Sequence, residues 1–305
     1  MVCTHFKHKI SLIKISLAIV ATLSTVSAKA EVLFEGYSKV MSGGVHIGYA
    51  INRYEFDPKK KQFISTSFLK TGELGGSITE SLSAFATEDL KPISYQYTTL
   101  VGTTTKTIDA KFEKGKIVAT VRDGAKVEKI AKDLPKGTFL STFLSYVMLK
   151  SKEGLKVDTK YDYQAIAEED AAAYKGLAFI KNEEEFNGMK SLKVLNEFKT
   201  SKFVSSISDH GEVFSTKSPA QSISTELVAQ PATATANFQI PTSLLKKLYG
   251  DVPTGQINEI SKRAQAAKAA EVGSAQPTPI PGKQIGIPGG QGLQLKSQTP
   301  AEEHK

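Results

Sequence analysis

Residues 42–56 read SGGVHIGYAINRYEF, and this stretch carries the clearest structural signal in the chain. The two glycines near its start favour a tight turn, because glycine adopts backbone conformations that other residues avoid. Apolar side chains then recur at every second position, with Ile47, Tyr49 and Ile51 on one face and Arg53 at the end of that face. A period of two residues is typical of a β-strand that has one covered and one wet face.

Alternating segments lie on both sides of this strand. One precedes it at residues 32–36, and short turn signals separate several of the later ones, with Lys-Gly at 114–115 and Asp-Gly at 123–124. Such short connections predict antiparallel pairing of strands that are neighbours in sequence. The further predicted strands cover residues 63–69, 77–87, 93–100, 105–112, 117–122, 126–131, 160–167, 177–182, 192–198, 203–208 and 212–216.

One segment interrupts the alternation. Between residues 138 and 152, apolar side chains recur at steps of three and four, with Thr138 as a candidate N-cap and Gly154 close to the end. This spacing predicts one amphipathic helix whose apolar stripe is buried on the covered face of the sheet. We therefore predict a mainly β (α+β) fold, in which a large, curved antiparallel meander holds one central amphipathic helix.

The first thirty residues indicate export. Lysines precede an apolar run at residues 15–26, and Ala28-Lys29-Ala30 then matches a site for signal peptidase. The run is shorter than the ~20 residues that a transmembrane helix needs. We predict that residues 1–30 are a signal peptide and that the mature chain begins at Glu31 without a transmembrane anchor. Its predicted location is the periplasm, with secretion to the medium as the alternative.

The charge and the cysteine content of the chain limit the classes of protein to which it can belong. The chain carries a formal charge of +8, and four lysines before residue 31, where no acidic residue lies, leave +4 for the mature part. Cys3 is the only cysteine and lies in the predicted leader, so the mature part has no disulfide and no thiolate. An exported chain without cysteine is typical of a bacterial, Gram-negative-type envelope. Scattered lysines and only three arginines argue against nucleic acid as a partner.

The composition changes after the last predicted strand. Residues 31–218 are predicted to form the curved β domain, and residues 219–272 a polar linker with short helices at 242–249 and 256–271. Residues 273–305 are rich in proline, glycine and glutamine, so we predict a disordered C-terminal tail.

Few residues suggest catalysis or metal binding. His46, His210 and His304 remain after export, but their spacing matches no metal-binding or catalytic pattern. Two acidic runs, at residues 168–170 and 183–185, are interpreted as solvated connections, because consecutive strand residues point to opposite faces. The sequence thus predicts no catalytic residue, no metal ligand and no cofactor.

An apolar pocket between the helix and the curved sheet is the remaining candidate site. The alternative is a completely filled core, since protein interiors pack to high density. The side chains predicted to line the pocket are Phe139, Phe143, Val147 and Met148 from the helix, with Ile47, Tyr49, Tyr95 and Tyr97 from the strands.

Two short hairpins resemble a known family. The run Gly44-Val45-His46-Ile47-Gly48-Tyr49 is similar to the G-x-x-I-G-Y hairpin that opens the exported β-rich domain of many bacterial transglutaminase-like proteins. Asp209-His210-Gly211-Glu212-Val213-Phe214 resembles the closing hairpin of these domains and of related bacterial domains of unknown function. The resemblance covers residues 31–218 and implies no transglutaminase or protease activity, because the Cys-His-Asp domain is missing. In architecture, the curved sheet also resembles the periplasmic lipoprotein carriers.

These observations favour a non-enzymatic envelope protein that acts as a binding module for a protein partner or an apolar, lipid-like ligand. One alternative is a structural protein that tethers another envelope component through its C-terminal tail. A second alternative is an unrecognised hydrolase, which requires histidine and acidic groups to converge in a cleft. The sequence leaves the oligomeric state open.

Overall fold

The computed structural model describes residues 30–274, in which fifteen strands form one sheet and the helices are few and short. The strands are β1 (Glu31–Ser42), β2 (Val45–Asp57), β3 (Gln62–Thr71), β4 (Ile78–Thr87), β5 (Pro92–Val101), β6 (Thr104–Glu113), β7 (Lys116–Asp123), β8 (Lys126–Asp133), β9 (Phe139–Leu140), β10 (Lys160–Ala167), β11 (Ala172–Phe186), β12 (Met189–Phe198), β13 (Ser201–Ile207), β14 (Val213–Ser218) and β15 (Ile223–Val228). The α-helices are α1 (Leu144–Lys150), α2 (Pro231–Ala234), α3 (Thr242–Tyr249) and α4 (Glu259–Ser274).

The sheet consists of two antiparallel meanders that meet at β1. Its strand order is β8-β7-β6-β5-β4-β3-β2-β1-β15-β14-β13-β12-β11-β10-β9. Every pair is antiparallel except β9 with β10, which is parallel. The prediction of a mainly β fold built on a large antiparallel meander is therefore confirmed.

The two ends of the sheet curve towards each other. Tyr95 and Ile108, on strands at one end, share a buried cluster with Leu140 and Ile166, on strands at the other end. Lys106 Nζ on β6 also donates a hydrogen bond of 2.8 Å to a backbone carbonyl in the turn after β10. Strands so far apart in the sheet order can touch only if the sheet bends, so its inner face encloses the segment that carries α1.

The helical segment is shorter than the sequence predicts. Instead of one helix at residues 138–152, the structure has strand β9, a 3₁₀ turn at Ser141–Phe143 and the seven-residue helix α1. The physical reason is that Phe139 and Leu140 pair with Ala165 and Ile166 of β10, and this pairing occupies their backbone hydrogen-bonding groups.

Glu168, in the turn after β10, holds the start of this segment in place. Its carboxylate accepts hydrogen bonds from Ser141 Oγ at 2.6 Å and from the Thr142 N–H at 3.3 Å. Thr142 is also bound by the Tyr54 hydroxyl, which donates to its carbonyl, and by Ser65 Oγ, which lies 2.7 Å from its hydroxyl. Glu168 is 4% exposed, and this burial raises the pKa of its carboxyl to about 7.

The region after Ser218 differs from the predicted linker. Strand β15 inserts between β1 and β14, so the sheet continues beyond the predicted domain boundary. The sequence analysis did not predict this strand, because serine, threonine, alanine, glutamine and proline dominate residues 220–239 and large apolar residues are few there. Helix α3 spans the predicted residues and ends before Gly250, whose φ of 84° suits a helix C-terminus.

A buried ion cluster attaches this C-terminal segment to the outer face of β1 and β2. Arg53 donates from Nε to Glu35 at 2.6 Å and from Nη2 to Asp251 at 2.6 Å. Glu35 also accepts hydrogen bonds from the backbone N–H groups of Thr254 and Gly255. Because Glu35 and Arg53 are only 2% and 5% exposed, each of these charges depends on its partners for the interactions that water would otherwise supply.

Two predicted segments lie almost entirely outside the described residues, namely the signal peptide at 1–30 and the disordered tail at 273–305. Within residues 30–274, no helix has both the length and the hydropathy of a membrane-spanning helix. The chain divides into one compact unit that ends at Gln265 and a second unit from Ala266 onward, of which the structure describes the last turns of helix α4.

Replacing Arg53 with methionine should destabilise the protein strongly, since it leaves the buried Glu35 carboxylate without its cation. We expect a loss of about 3–5 kcal/mol in the free energy of unfolding, measured by urea denaturation. Arg122→Met is the matched control, because Arg122 pairs with Asp109 at the surface with both side chains about half exposed. Exposed pairs contribute at most about 1 kcal/mol. Equal losses in the two variants would contradict the structural role of the buried cluster.

Glu168 should make the protein less stable as the pH rises. Its folded pKa of about 7 lies above the ordinary value of 4.5, so its contribution is fully present below pH 4.5 and disappears as the pH rises through 7. We expect Glu168→Gln to match the wild-type protein at pH 4.5 and to exceed its unfolding free energy at pH 8 by on the order of 3 kcal/mol.

The measurement is urea denaturation at both pH values. Glu185→Gln serves as the control, since Glu185 lies on the exposed part of β11 and should leave the wild-type pH profile unchanged. If Glu168→Gln shows the same pH dependence as the wild-type protein, the carboxyl of Glu168 does not have a raised pKa.

Candidate binding sites

The structure separates the residues predicted to line one apolar pocket. Tyr95, Tyr97 and Phe143 lie in one buried cluster, with Val147 packed against it. These side chains therefore meet beside α1, and Val147 also lines a cavity of about 430 Å³ together with Phe139.

The other predicted pocket residues are not members of this buried cluster. Phe139 is buried, with its ring 5.5 Å from that of Tyr163. Met148 packs on the opposite side of α1, in a cluster formed mainly by β11–β13. Tyr49 faces outward beneath the C-terminal segment, and Ile47 packs in a separate small cluster with Val40 and Ala50.

Small polar side chains line the part of the inner face that α1 does not fill. Thr225, Thr216 and Ser205 lie directly opposite one another on β15, β14 and β13. Three more residues extend this row onto β1, β2 and β12. We call the row the polar belt; its members are Ser38, Asn52, Asn196, Ser205, Thr216 and Thr225.

Two adjoining cavities of about 180 Å³ each lie between the polar belt and α1. Tyr54, Val213 and Thr216 contribute to both cavities, which therefore meet along these side chains. Tyr146 closes one cavity from the helical side, and Met148 closes the other. Of the eight residues predicted to form a pocket, Met148 is the one that lines this space.

The two halves of the polar belt differ in their hydrogen bonds. Asn196 donates to Ser205 Oγ at 3.4 Å, and Ser205 Oγ lies 3.2 Å from the Thr216 hydroxyl. The side chains of Ser38, Asn52 and Thr225, by contrast, have no hydrogen-bond partner among residues 30–270. This second half therefore presents unused donors and acceptors to its cavity.

One carboxylate lies at the rim of this cavity. Glu212 accepts a hydrogen bond from the Glu259 N–H at 2.9 Å, and burial raises the pKa of its carboxyl. Burial likewise raises the pKa of the nearby Tyr146 hydroxyl, which stays protonated and can donate. No lysine or arginine is among the described residues that line either cavity.

An apolar groove of about 580 Å³ lies on the opposite, outer face of β10–β13. Leu177, Phe179, Leu195 and Val204 line it, and each is only half-buried. They face outward because the residues that alternate with them, such as Ala178 and Val194, are buried in the inner cluster with Met148. The groove is flanked by Lys160 and Lys202.

The two candidate histidines that the structure describes lie in different surroundings. His210 lies 3.5 Å from Asp209 and 3.9 Å from Glu259, but its side chain is 75% exposed, as is typical of the hairpin turn that the sequence predicts. His46 packs edge-on against Phe238 at 5.0 Å, and its Nε2 atom is buried without a hydrogen-bond partner among the described residues. His304 lies outside the described residues.

The acidic runs differ in part from their interpretation as solvated connections. Glu168 is buried beneath the 3₁₀ turn, whereas Glu169 and Asp170 of the same run form surface ion pairs with Lys199. Residues 183–185 lie at the end of β11, next to the turn that leads to β12, and Glu183 and Glu185 are exposed. The sequence offered no signal for the burial of Glu168, because its partners Ser141 and Thr142 are more than 25 residues away.

Comparison with solved structures yields bacterial proteins of unknown function. One is a β-barrel-like protein with the domain of unknown function DUF1849 from Brucella abortus, at 13% identity and a TM-score of 0.44, covering 65% of this chain and 97% of that one. Another is a DUF1089 family protein from Pseudomonas aeruginosa, at 12% identity and a TM-score of 0.35, covering 56% of this chain and 90% of that one. No curated protein matches the sequence.

One family model matches the greater part of the described chain. Residues 36–222 match the model of DUF3108, which is described as a protein of unknown function. The family carries no assigned activity, and the resemblance to domains of transglutaminase-like proteins stays a prediction. Because the match covers more than half of the 305 residues, the chain belongs to the DUF3108 family.

Proposed function

We propose that this protein is a non-enzymatic binding module of the bacterial envelope that holds an apolar, lipid-like chain in the groove on the outer face of β10–β13. The observation that carries the proposal is the groove itself, an apolar concavity of about 580 Å³ on a sheet face whose charged neighbours point to solvent. Sites for small ligands typically have volumes of about 300–1,000 Å³ and mostly apolar linings.

The lining favours an aliphatic chain over a polar ligand. Leu177, Phe179, Leu195 and Val204 present apolar side chains that are half-buried rather than covered. Each square ångström of this surface that a ligand removes from water contributes roughly 25 cal/mol. An apolar chain laid across the four side chains thus gains free energy from burial alone.

Two lysines favour a ligand with an anionic head group. The side chains of Lys160 and Lys202 flank the groove and are 56% and 77% exposed. Each lies near one acidic residue, Asp162 at 3.2 Å and Glu197 at 3.5 Å, but an ammonium group has three N–H donors. Donors therefore remain for a carboxylate or phosphate at the end of an apolar chain.

The inner cavities suit such a ligand less well. The sequence predicted an apolar pocket on the covered face of the sheet, with a filled core as the alternative. Here the polar belt lines both cavities beside α1, and an apolar chain laid against Ser38, Asn52 and Thr225 would leave their polar groups without partners. The proposed ligand therefore lies on the outer face.

The proposed location is the periplasm. In support, strand β1 begins at Glu31, so cleavage after Ala30 would leave the first strand complete.

A charge placed in the groove should abolish binding of an apolar chain. We expect saturable binding of dansyl-undecanoic acid, followed by its fluorescence, and a loss of at least about tenfold in affinity for Val204→Glu, because the new carboxylate must be desolvated. Val127→Glu is the matched control, since Val127 is an exposed valine on β8 that lines no groove.

Equal affinities of Val204→Glu and Val127→Glu would place the bound chain elsewhere. Absence of binding to the wild-type protein would remove the lipid-like ligand, and a protein partner that copurifies with wild type but not with Val204→Glu would assign the groove to a protein instead.

Export should produce a mature chain that begins at Glu31. Expression of the full chain in a Gram-negative host, followed by osmotic shock and intact-mass measurement, is expected to place this species in the periplasmic fraction. Replacing Ala28 and Ala30 with bulky residues should block processing and leave the precursor at the membrane. A full-length precursor in the cytoplasm of wild-type cells would contradict the proposed location.

A further inference from the structure

Ser38 is the starting point for a second site. It lies on β1 at the centre of the sheet, is 8% exposed, and its hydroxyl has no hydrogen-bond partner among residues 30–270. Asn52 on β2 and Thr225 on β15, the two neighbouring strands, point into the same cavity, also without side-chain partners within that range. Ser38 is buried and Asn52 and Thr225 are half-buried, so this side of the cavity offers hydroxyl and amide groups that a bound molecule can reach.

We propose that the polar belt is a binding site for a small, uncharged molecule rich in hydroxyl groups, of the size of a polyol or a sugar. This inference is independent of the proposed lipid-like ligand, since Ser38, Asn52 and Thr225 line the inner cavity and not the groove, although Asn196 borders both.

The lining of the cavities explains why the ligand is uncharged. The polar groups facing the space are mostly hydroxyls and amides, and no lysine or arginine is among the described residues that line it. Glu212 is the one carboxylate in the lining, and it already accepts the Glu259 N–H. Hydroxyl groups can donate and accept, so they match both the Asn52 amide and the Ser38 and Thr225 hydroxyls.

The volumes of the two cavities limit the size of the ligand. The two cavities measure about 180 Å³ each and meet at Tyr54, Val213 and Thr216. A ligand in the first cavity contacts the unpartnered half of the belt, and a longer one reaches Asn196 and Ser205 in the second. Tyr54 and Tyr146 offer ring faces beside these polar groups, which is the combination of apolar and polar contact that a sugar ring uses.

The experiment is isothermal titration calorimetry of the mature protein with glycerol, glucose and N-acetylglucosamine. We expect saturable binding of at least one of the three. Thr225→Val removes the hydroxyl while keeping the shape of the side chain and should weaken that binding about fivefold, the effect of one net hydrogen bond. Thr105→Val, at an exposed position of β6, is the matched control and should bind like the wild-type protein.

A second substitution and a folding control accompany this experiment. Ser38→Ala should also weaken binding about fivefold, and both belt variants should keep the wild-type affinity for dansyl-undecanoic acid, which reports the outer groove. Failure of the wild-type protein to bind any of the three probes would overturn the proposal, as would unchanged affinity in both belt variants. A crystal soaked in the probe that showed only water in the two cavities would overturn it as well.

Discussion

The pairing of β1 with β15 is the constraint on which the rest of the structure depends. It joins residues 37–42 to residues 223–228 and thereby fuses two meanders, β1–β8 and β9–β15, into one sheet. β1 then lies in the middle of the sheet with both of its edges paired, and both of its faces are covered as well. Its inner face contributes Phe34 and Ser38 to the interior, and its outer face contributes Glu35 and Tyr37 to the contact with the C-terminal segment.

The ion cluster on the outer face follows from that position. Arg53 is opposite Glu35 in the β1–β2 register, so the two charges would meet on any exposed sheet surface. Here the segment that follows α3 covers them and supplies Asp251 and two backbone N–H groups. The attraction between the charges is strengthened by the low local dielectric, and the same dielectric makes the loss of either partner costly. The C-terminal segment is thus part of the fold rather than a linker.

Parts of the sheet have polar side chains on the inner face and apolar side chains on the outer face, the reverse of the usual arrangement. Strands β12–β15 and β1–β2 direct hydroxyl and amide groups inward, whereas β10–β13 direct leucine, phenylalanine and valine outward. A chain selected only for stability would bury the second set and expose the first. The polar cavity and the apolar groove depart from that rule. Such departures often mark binding sites, which is why both proposals are placed there.

The sequence alone determined the local elements: alternation defined most strands, and glycine-containing turns set their antiparallel order. Helix α3 was predicted at its observed bounds because its spacing and Gly250 are local signals. Only the tertiary structure decided which face of each strand is inside, since a period of two distinguishes two faces without saying which one is covered. It also decided the insertion of β15, the burial of Glu168 and the separation of Tyr49 from Tyr95, because each depends on contacts between residues far apart in the chain.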